Sequence, residues 1–247
     1  MAKRKNNLLF TLLLIFVFAL SSCTKNKEDK SVDKKIKKDV KVQKKEAKPK
    51  KFKAVQTEGA FLILPIEGFK TMGDKSAKIV IMEFTDFECP FCRKFHSETL
   101  PLIQAEYIDT GKVRWITRAF PLPFHLAALP AAKSLYCVGK FGTDKQYWDF
   151  YNKLFLSDKI NPSTPFEIAE QIGLNREKIA QCVSSSSAQD FIKKENSNAT
   201  IYGVAGTPTF FIGIDNGAGS IKAVKLVGAQ PIGKFREKID SLLKSSK

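Results

Sequence analysis

Residues 78–96 read KIVIMEFTDFECPFCRKFH, an apolar run that leads directly into two cysteines spaced Cys-x-x-Cys. The run over 78–84 is nearly continuous and rich in β-branched residues, which predicts a central strand buried on both faces. Pro90 fits the first position of a helix, because the N–H that it lacks would have no partner there. The stretch therefore predicts a strand followed at once by a helix, with both cysteines at the start of that helix.

The rest of the chain predicts a sheet that is divided by helices. Gly111 ends the first helix, and VRWITRAF (113–120) is a second strand. This β-α-β order favours a parallel pair of strands. The remaining helices are predicted at 125–139, 147–155, 164–172, 175–183, 187–202 and from Pro231 onward, with Pro130 expected to kink or restart the first of them. The remaining strands are predicted at 207–213 and 222–228, around a turn with Gly217 and Gly219.

The two cysteines have the arrangement that thiol–disulfide exchange requires. Cys89 is predicted at the N-cap and Cys92 one turn further on the same helix face. A thiolate at Cys89 would face unpaired N–H groups and the positive end of the helix dipole, which can lower a thiol pKa to about 3.5–7. We predict an exposed Cys89 that attacks, a Cys92 that resolves the mixed disulfide, and a redox-active Cys89–Cys92 disulfide.

A metal site is the alternative interpretation of the same residues. Cys89, Cys92 and His96 could supply three zinc ligands. Zinc ribbons use paired knuckles, whereas this chain has one other histidine, His125, and no second Cys-x-x-Cys. We therefore predict no metal and no cofactor. His96 is expected on the helix surface near the cysteines, and His125 at the start of the next helix with no assigned role.

Two further features could belong to the same site. Glu83 lies inside the strand run, six residues before Cys89. It is either a buried carboxylate with a raised pKa that relays the proton of Cys92, or an acid that points to solvent. Thr207-Pro208 opens a strand, where the proline removes one ladder hydrogen bond. Such a proline belongs at a sheet edge or beside a functional site.

These pieces resemble the thioredoxin superfamily, and within it the DsbA-like thiol:disulfide oxidoreductases. The resemblance rests on EFTDFECPFC (83–92), on GVAGTPTFFIG (203–213) and on the helical stretch between them, and it covers about residues 74–245. It implies that Thr207-Pro208 is a cis-proline that helps to bind the substrate backbone beside the cysteines. One departure is that Pro90-Phe91 stands between the cysteines, where the best-known DsbA enzymes carry Pro-His, so strength as an oxidant stays open.

The implied fold class is α/β, a thioredoxin-like fold with an all-helical insertion. The thioredoxin-like domain would comprise 60–121 and 203–247, and the insertion would comprise 122–202. Cys137 and Cys182 both fall in helical patterns of the insertion, either as buried free thiols or as a structural disulfide that closes a loop of 45 residues. Some DsbA-like proteins carry a second pair in their helical domain, and this favours a Cys137–Cys182 bridge.

The first 59 residues differ from the rest in composition. Residues 1–22 form an export signal, with a basic start and an apolar run too short to span a bilayer as a helix. The run ends in LSSC, which resembles the bacterial lipoprotein box and predicts lipidation of Cys23. An ordinary cleaved signal is the alternative. We predict that 23–59 form the lipid anchor and a Lys-rich disordered linker, since 24–59 hold 14 Lys and 6 acidic residues.

Charge and context narrow the function. Residues 1–60 hold 17 of the 41 Lys and Arg but only 6 of the 25 acidic residues, so most of the net positive charge lies outside the folded part and no nucleic acid is expected. We predict an oxidoreductase in the periplasm or cell envelope of a bacterium that forms disulfides in reduced exported proteins. Its other partners would be a membrane redox protein and, through the anchor, the membrane.

Other functions remain open at this point. The first alternative is a disulfide reductase or isomerase. The second is a metal-handling envelope lipoprotein, although Met72 and Met82 form no thioether cluster of the kind that copper(I) favours. A structural surface lipoprotein is the third.

Overall fold

The computed structural model describes residues 61–66 and 70–245, and a six-stranded sheet lies at its centre. The strands are β1 Leu62–Pro65, β2 Thr71–Met72, β3 Ile79–Thr85, β4 Val113–Ala119, β5 Thr209–Asp215 and β6 Ser220–Val227. Their order across the sheet is β1-β6-β5-β3-β4-β2. β3 and β4 pair in parallel, as the β-α-β order predicts, and the other pairs are antiparallel.

Helices follow β3, fill the connection from β4 to β5, and close the chain. They are α1 Pro90–Glu98, α2 Leu100–Ile103 with a π-helical turn over Gln104–Ile108, α3 Ala128–Phe141, α4 Asp144–Leu156, α5 Thr164–Gln171, α6 Arg176–Val183, α7 Ser186–Ile201 and α8 Ile232–Ser245. This is the predicted α/β fold with an all-helical insertion. Within the described residues, no helix combines the length and the apolar composition that a membrane span requires.

β3 is central because its residues can be buried on both faces of the sheet. All seven are buried, and side chains along a strand alternate between faces. Ile79 and Ile81 pack in the core that also contains α1, α8 and the helices of the insertion. Val80, Met82 and Phe84 pack in a second core on the opposite face. The strand thus lies between two packed cores, and its end leads into the start of α1, which packs in the first of them.

Two predictions of local structure were wrong, and two strands were missed. The helix expected at 125–139 begins at Ala128, so His125 precedes it. Pro130 neither kinks nor restarts that helix, because it lies in the first turn, where no N–H is needed. The short strands β1 and β2 were not predicted, since four and two residues give too little pattern.

Several sequence predictions lie outside the described residues. These are the signal over 1–22, the lipidation of Cys23 and the linker over 23–59. The division into a thioredoxin-like domain and an insertion domain at the stated boundaries stays a prediction.

Candidate active site

The paired cysteines lie where β3 leads into α1. Cys89 occupies the N-cap of α1 with an extended backbone, and Pro90 is the first helical residue. Cys92 lies one turn further along the helix and is completely buried. Both cysteines are free thiols in this structure. The predicted placement at the helix start is therefore present.

Cys89 lies in surroundings that favour a thiolate. A hydrogen bond from the Cys92 thiol, together with the Thr207 side chain and the N–H groups of Cys92 and Phe91, lowers the pKa of Cys89 to about 5 against the cost of burial. Cys89 is only 4% exposed, whereas the sequence predicted an exposed thiolate. The cause is the neighbouring loop, since the carbonyl oxygen of Thr207 lies 3.4 Å from Cys89 Sγ and accepts a hydrogen bond from it only when the thiol is protonated.

Cys92 is held in the opposite state. Burial raises the pKa of its thiol, and the hydrogen bond to Cys89 and the nearby negative charge of Glu83 raise it further. The two sulfurs are one helical turn apart, yet one favours the anion and the other favours the proton. At neutral pH the pair therefore consists of a Cys89 thiolate that accepts a hydrogen bond from the Cys92 thiol.

Glu83 is buried on β3, so the interpretation as a solvent-facing acid is wrong. It is 1% exposed, and its Oε2 accepts hydrogen bonds from Tyr151 Oη at 2.6 Å and from Thr117 Oγ1 at 3.4 Å. Burial raises the pKa of Glu83 to about 7, and these hydrogen bonds only partly oppose the rise. A carboxyl group that titrates near neutrality beside Cys92 is suited to exchange protons with it.

The loop before β5 completes the site. The peptide bond between Thr207 and Pro208 is cis, and Pro208 is buried next to the start of the strand. β5 lies directly beside β3 in the sheet, which brings this loop against the N-terminus of α1. The residues expected at the site, namely Cys89, Cys92, Glu83, Thr207 and Pro208, are thus assembled at one end of the two central strands.

His96 is less exposed than the helix-surface position that the sequence predicted. His96 is half-buried and stacks on the ring of Phe155 at 4.6 Å, and its Nε2 lies 3.1 Å from Asn152 Oδ1. Burial lowers the pKa of His96, and the nearby charge of Arg93 acts in the same direction. Within the described part of the chain, no group of three or more His, Cys, Asp or Glu side chains is placed to hold a metal ion.

Three residues near the cysteines were not predicted. Asp86, directly after β3, binds Nδ1 of His125 through its Oδ2 at 2.8 Å. Tyr151 of α4 contacts Glu83, as described above. A polar residue between an apolar strand and a helix N-cap is a signal that could have singled out Asp86. The other two are found only once the fold brings distant segments together.

The second pair of cysteines lies in the helical insertion. Cys137 of α3 and Cys182 of α6 are joined by a disulfide with Cα atoms 5.9 Å apart. Both residues are buried in the larger core. The bridge links two helices that pack against each other and does not reach Cys89 or Cys92.

Comparison with known proteins points to one family. The model of the protein family described as “Thioredoxin” matches residues 67–226 of this chain. “Probable disulfide bond formation protein D” of Bacillus anthracis is 29% identical over 153 residues, which cover 58% of this chain and 69% of that protein. The crystal structure of Wolbachia pipientis α-DsbA1 superposes with a TM-score of 0.65 and 29% identity, covering 74% of this chain and 94% of that one.

A further relative is much longer than the matched region. The Na(+)/H(+) antiporter NhaA 3 of Salinispora tropica is 25% identical over 155 residues, and the chain spans 23% of that antiporter's length. The thioredoxin match, in contrast, spans well over half of this chain and includes the helix start, the insertion and the loop before β5. The chain therefore belongs to the thioredoxin family, and its fold is DsbA-like.

Proposed function

We propose that the chain is a protein thiol:disulfide oxidoreductase that forms disulfide bonds in exported proteins through Cys89 and Cys92. One observation carries the proposal, namely that the surroundings of Cys89 favour its ionised form while those of Cys92 favour its protonated form. A stabilised Cys89 thiolate is a good leaving group and favours the reduced enzyme, which is the property of an oxidant. The description of the Bacillus anthracis relative and the likeness to α-DsbA1 support the same activity.

The reaction consists of two exchanges that start from the oxidised enzyme. A client thiolate attacks Cys89 Sγ, the Cys89–Cys92 bond breaks, and Cys92 leaves with the electron pair and takes up a proton. A second client thiolate then attacks the client sulfur of the mixed disulfide and expels Cys89 as a thiolate. The client loses two electrons and the enzyme gains them, to be passed on to a membrane redox partner.

Glu83 and the Thr207-Pro208 loop would assist different steps of the exchange, proton transfer to Cys92 and binding of the client. Protonated Glu83 can supply the proton that Cys92 needs when it leaves, because burial brings the pKa of Glu83 to about 7. The Thr207 carbonyl lies 3.4 Å from Cys89 Sγ and is placed to meet the backbone of a client held at that sulfur. Pro208 would keep that carbonyl turned toward the cysteine.

The reduction potential of the Cys89–Cys92 pair tests the direction of electron flow. Equilibration with glutathione buffers, followed by counting of the free thiols, gives the value. A reduction potential of about −120 mV is expected for an oxidant, whereas a value of about −270 mV would assign the chain to the disulfide reductases instead. An isomerase would be recognised by its ability to reactivate a client with scrambled disulfides.

The cellular context is part of the same proposal. The signal-like residues 1–22 and LSSC would place the protein in the bacterial envelope with Cys23 as a lipidated mature N-terminus. Mass spectrometry of the mature protein decides between anchor and ordinary signal. An acylated Cys23 is expected, and an unmodified terminus downstream of it would rule out the anchor while leaving the redox chemistry untouched.

A further inference from the structure

Asp86 is the hydrogen-bonding centre of the turn that leads to Cys89. Its side chain is fully buried, and its backbone carbonyl accepts the N–H of Cys89 at 3.1 Å. Its Oδ1 accepts the N–H of Glu88 at 2.8 Å. Its Oδ2 accepts the N–H of Leu122 at 2.8 Å and lies 2.8 Å from Nδ1 of His125. Each of these groups would be costly to leave unpaired, so the carboxylate holds them together.

Two more hydrogen bonds connect the turn after β3 to the segment that follows β4. The N–H of Phe120, just after β4, donates to the carbonyl of Thr85 at 2.7 Å. The N–H of Ala127 donates to Oε2 of Glu88 at 2.6 Å. The segment 120–127 is therefore attached at its start, middle and end to residues 85–88. These are the residues that set the position of Cys89 relative to the sheet.

We propose that Asp86 and His125 are positioning residues of the redox site, whose hydrogen bond fixes the turn that presents Cys89 at the start of α1. The inference rests on the proposed function and extends it to a carboxylate and an imidazole that have no hydrogen bond to either sulfur within the described residues, although the Asp86 backbone does form one with Cys92. The N–H groups of Phe91 and Cys92 stabilise the Cys89 thiolate only while they point at its sulfur. A turn that moves would lose that alignment.

Positioning and simple electrostatics give opposite signs for one substitution. Asp86 carries a negative charge three residues before Cys89, and like charges disfavour ionisation. If only the charge mattered, removing it would lower the pKa of Cys89. If the hydrogen bonds matter, removing an acceptor should loosen the turn and raise that pKa. The direction of the change therefore separates the two roles.

Asp86→Asn is the first variant. Either orientation of the new amide places its NH2 group against a backbone N–H, that of Glu88 on one side or that of Leu122 on the other. We expect the pKa of Cys89 to rise by about one unit, which is a tenfold loss of thiolate at acidic pH. The measurement is the pH dependence of Cys89 alkylation in the reduced protein. An unchanged or lowered pKa overturns the proposal.

Asp74→Asn is the matched control for loss of charge. Asp74 also accepts the N–H of the residue two positions on, Ser76 at 2.8 Å, but it precedes β3 at the end opposite to Cys89. This variant should leave the Cys89 pKa where it is. A rise equal to that of Asp86→Asn would show that the shift does not depend on the turn that Asp86 holds, and it would also overturn the proposal.

Two substitutions of His125 test the partner. His125→Leu removes the donor and should raise the Cys89 pKa in the same direction as Asp86→Asn. His125→Asn keeps an N–H at the position of Nδ1 without a charge, and it should restore the wild-type value. If Asn behaves like Leu, the imidazole acts by charge and the positioning role is wrong. Should Asp86→Asn fail to fold, this pair decides by itself.

The readout is independent of client turnover. The proposed function fails if no client is oxidised or trapped, whereas the inference fails if the Cys89 pKa does not respond to Asp86 and His125. Thermal unfolding of each reduced variant accompanies the titration. A variant that is destabilised but keeps the wild-type Cys89 pKa assigns the contact to stability alone and counts against positioning.

Discussion

The two cysteine pairs of this chain are buried to a similar extent but differ in the part of a helix that they occupy. Cys89 caps the N-terminus of α1, and Cys92 lies in its first turn. Cys137 lies well inside α3, and Cys182 is the last residue but one of α6. Free N–H groups surround the first pair, whereas the carbonyl end of a helix is close to Cys182 and disfavours a thiolate there.

Burial alone therefore does not tell a redox pair from a structural bridge. All four residues are less than one-tenth exposed. The difference lies in the donors and acids that surround the sulfur, namely backbone N–H groups and Glu83 at Cys89 and Cys92, and apolar neighbours in the core at the other pair. A thiol becomes reactive when its anion is stabilised, and among the cysteines that the structure describes only Cys89 has that environment.

The largest expected effects are those of single substitutions in the redox pair. Cys89→Ser should reduce disulfide exchange to the uncatalysed rate, because it removes the sulfur that bonds to the client. Cys92→Ser should instead accumulate mixed disulfides, which form when the Cys89 thiolate attacks a client disulfide and which Cys92 is no longer present to resolve. Non-reducing gels of cells that express each variant give the result.

The same experiment can break the comparison. Cys137→Ser serves as the control, since a structural cysteine should neither trap clients nor abolish exchange. If Cys92→Ser collects no mixed disulfides, or if Cys137→Ser collects as many, the assignment of roles to the two pairs is wrong.

The next effect is on stability rather than on exchange. Removing the bridge with Cys137→Ser and Cys182→Ser together should lower the free energy of unfolding by about 2–4 kcal/mol, because a loop of 45 residues is no longer closed in the unfolded chain. Exchange by the remaining folded protein should be unchanged. Denaturant unfolding gives the stability, and peptide mapping without reductant shows whether the protein isolated from cells contains the bridge. Two free thiols there would contradict the structural role.

The sequence was most informative where the signal is local. The run over 78–84 and Pro90 were enough to predict β3, the start of α1 and the position of both cysteines. The contact between Asp86 and His125 could not be predicted, because these residues are 39 positions apart and meet only when β3 and β4 pair in parallel. Whether Glu83 is buried likewise depends on Tyr151, which α4 of the insertion brings over the strand.

A smaller and pH-dependent effect is expected from Glu83→Gln. The folded-state pKa of Glu83 is about 7, above its ordinary value of 4.5, so the ionised side chain destabilises the fold. That penalty is absent below about pH 4.5, grows up to pH 7 and is complete above it. The variant should gain about 3 kcal/mol at pH 8 and nothing at pH 4, since each unit of pKa difference corresponds to about 1.4 kcal/mol.

Denaturant unfolding of the reduced Glu83→Gln variant and wild-type proteins across this pH range is the measurement. Asp149→Asn, on the exposed side of α4, is a suitable control for loss of one negative charge. A gain for Glu83→Gln that is equal at pH 4 and pH 8 would mean that the carboxyl does not titrate in this window, and it would remove the argument for a proton relay to Cys92.

The smallest effect concerns the contact through which the insertion reaches the redox site. Tyr151 of α4 donates a hydrogen bond of 2.6 Å to Glu83, and this bond holds the pKa of Glu83 below the value that burial alone would give. Tyr151→Phe should raise that pKa by about half a unit to one unit, the effect of one hydrogen bond to a charged group that is partly offset by relaxation.

The midpoint of the pH-dependent loss of stability reports this shift, and it is separate from any loss that is equal at every pH. Tyr147→Phe is the matched control, because Tyr147 lies one turn earlier on α4, is also buried, and has no hydrogen bond to Glu83 within the described part of the chain. If both variants move the midpoint equally, the insertion acts on Glu83 through burial alone. If only Tyr151→Phe moves the midpoint, the helical insertion, which contains the structural bridge, also sets the pKa of Glu83 beside Cys92. The two regions then differ in their chemistry but are not independent of each other.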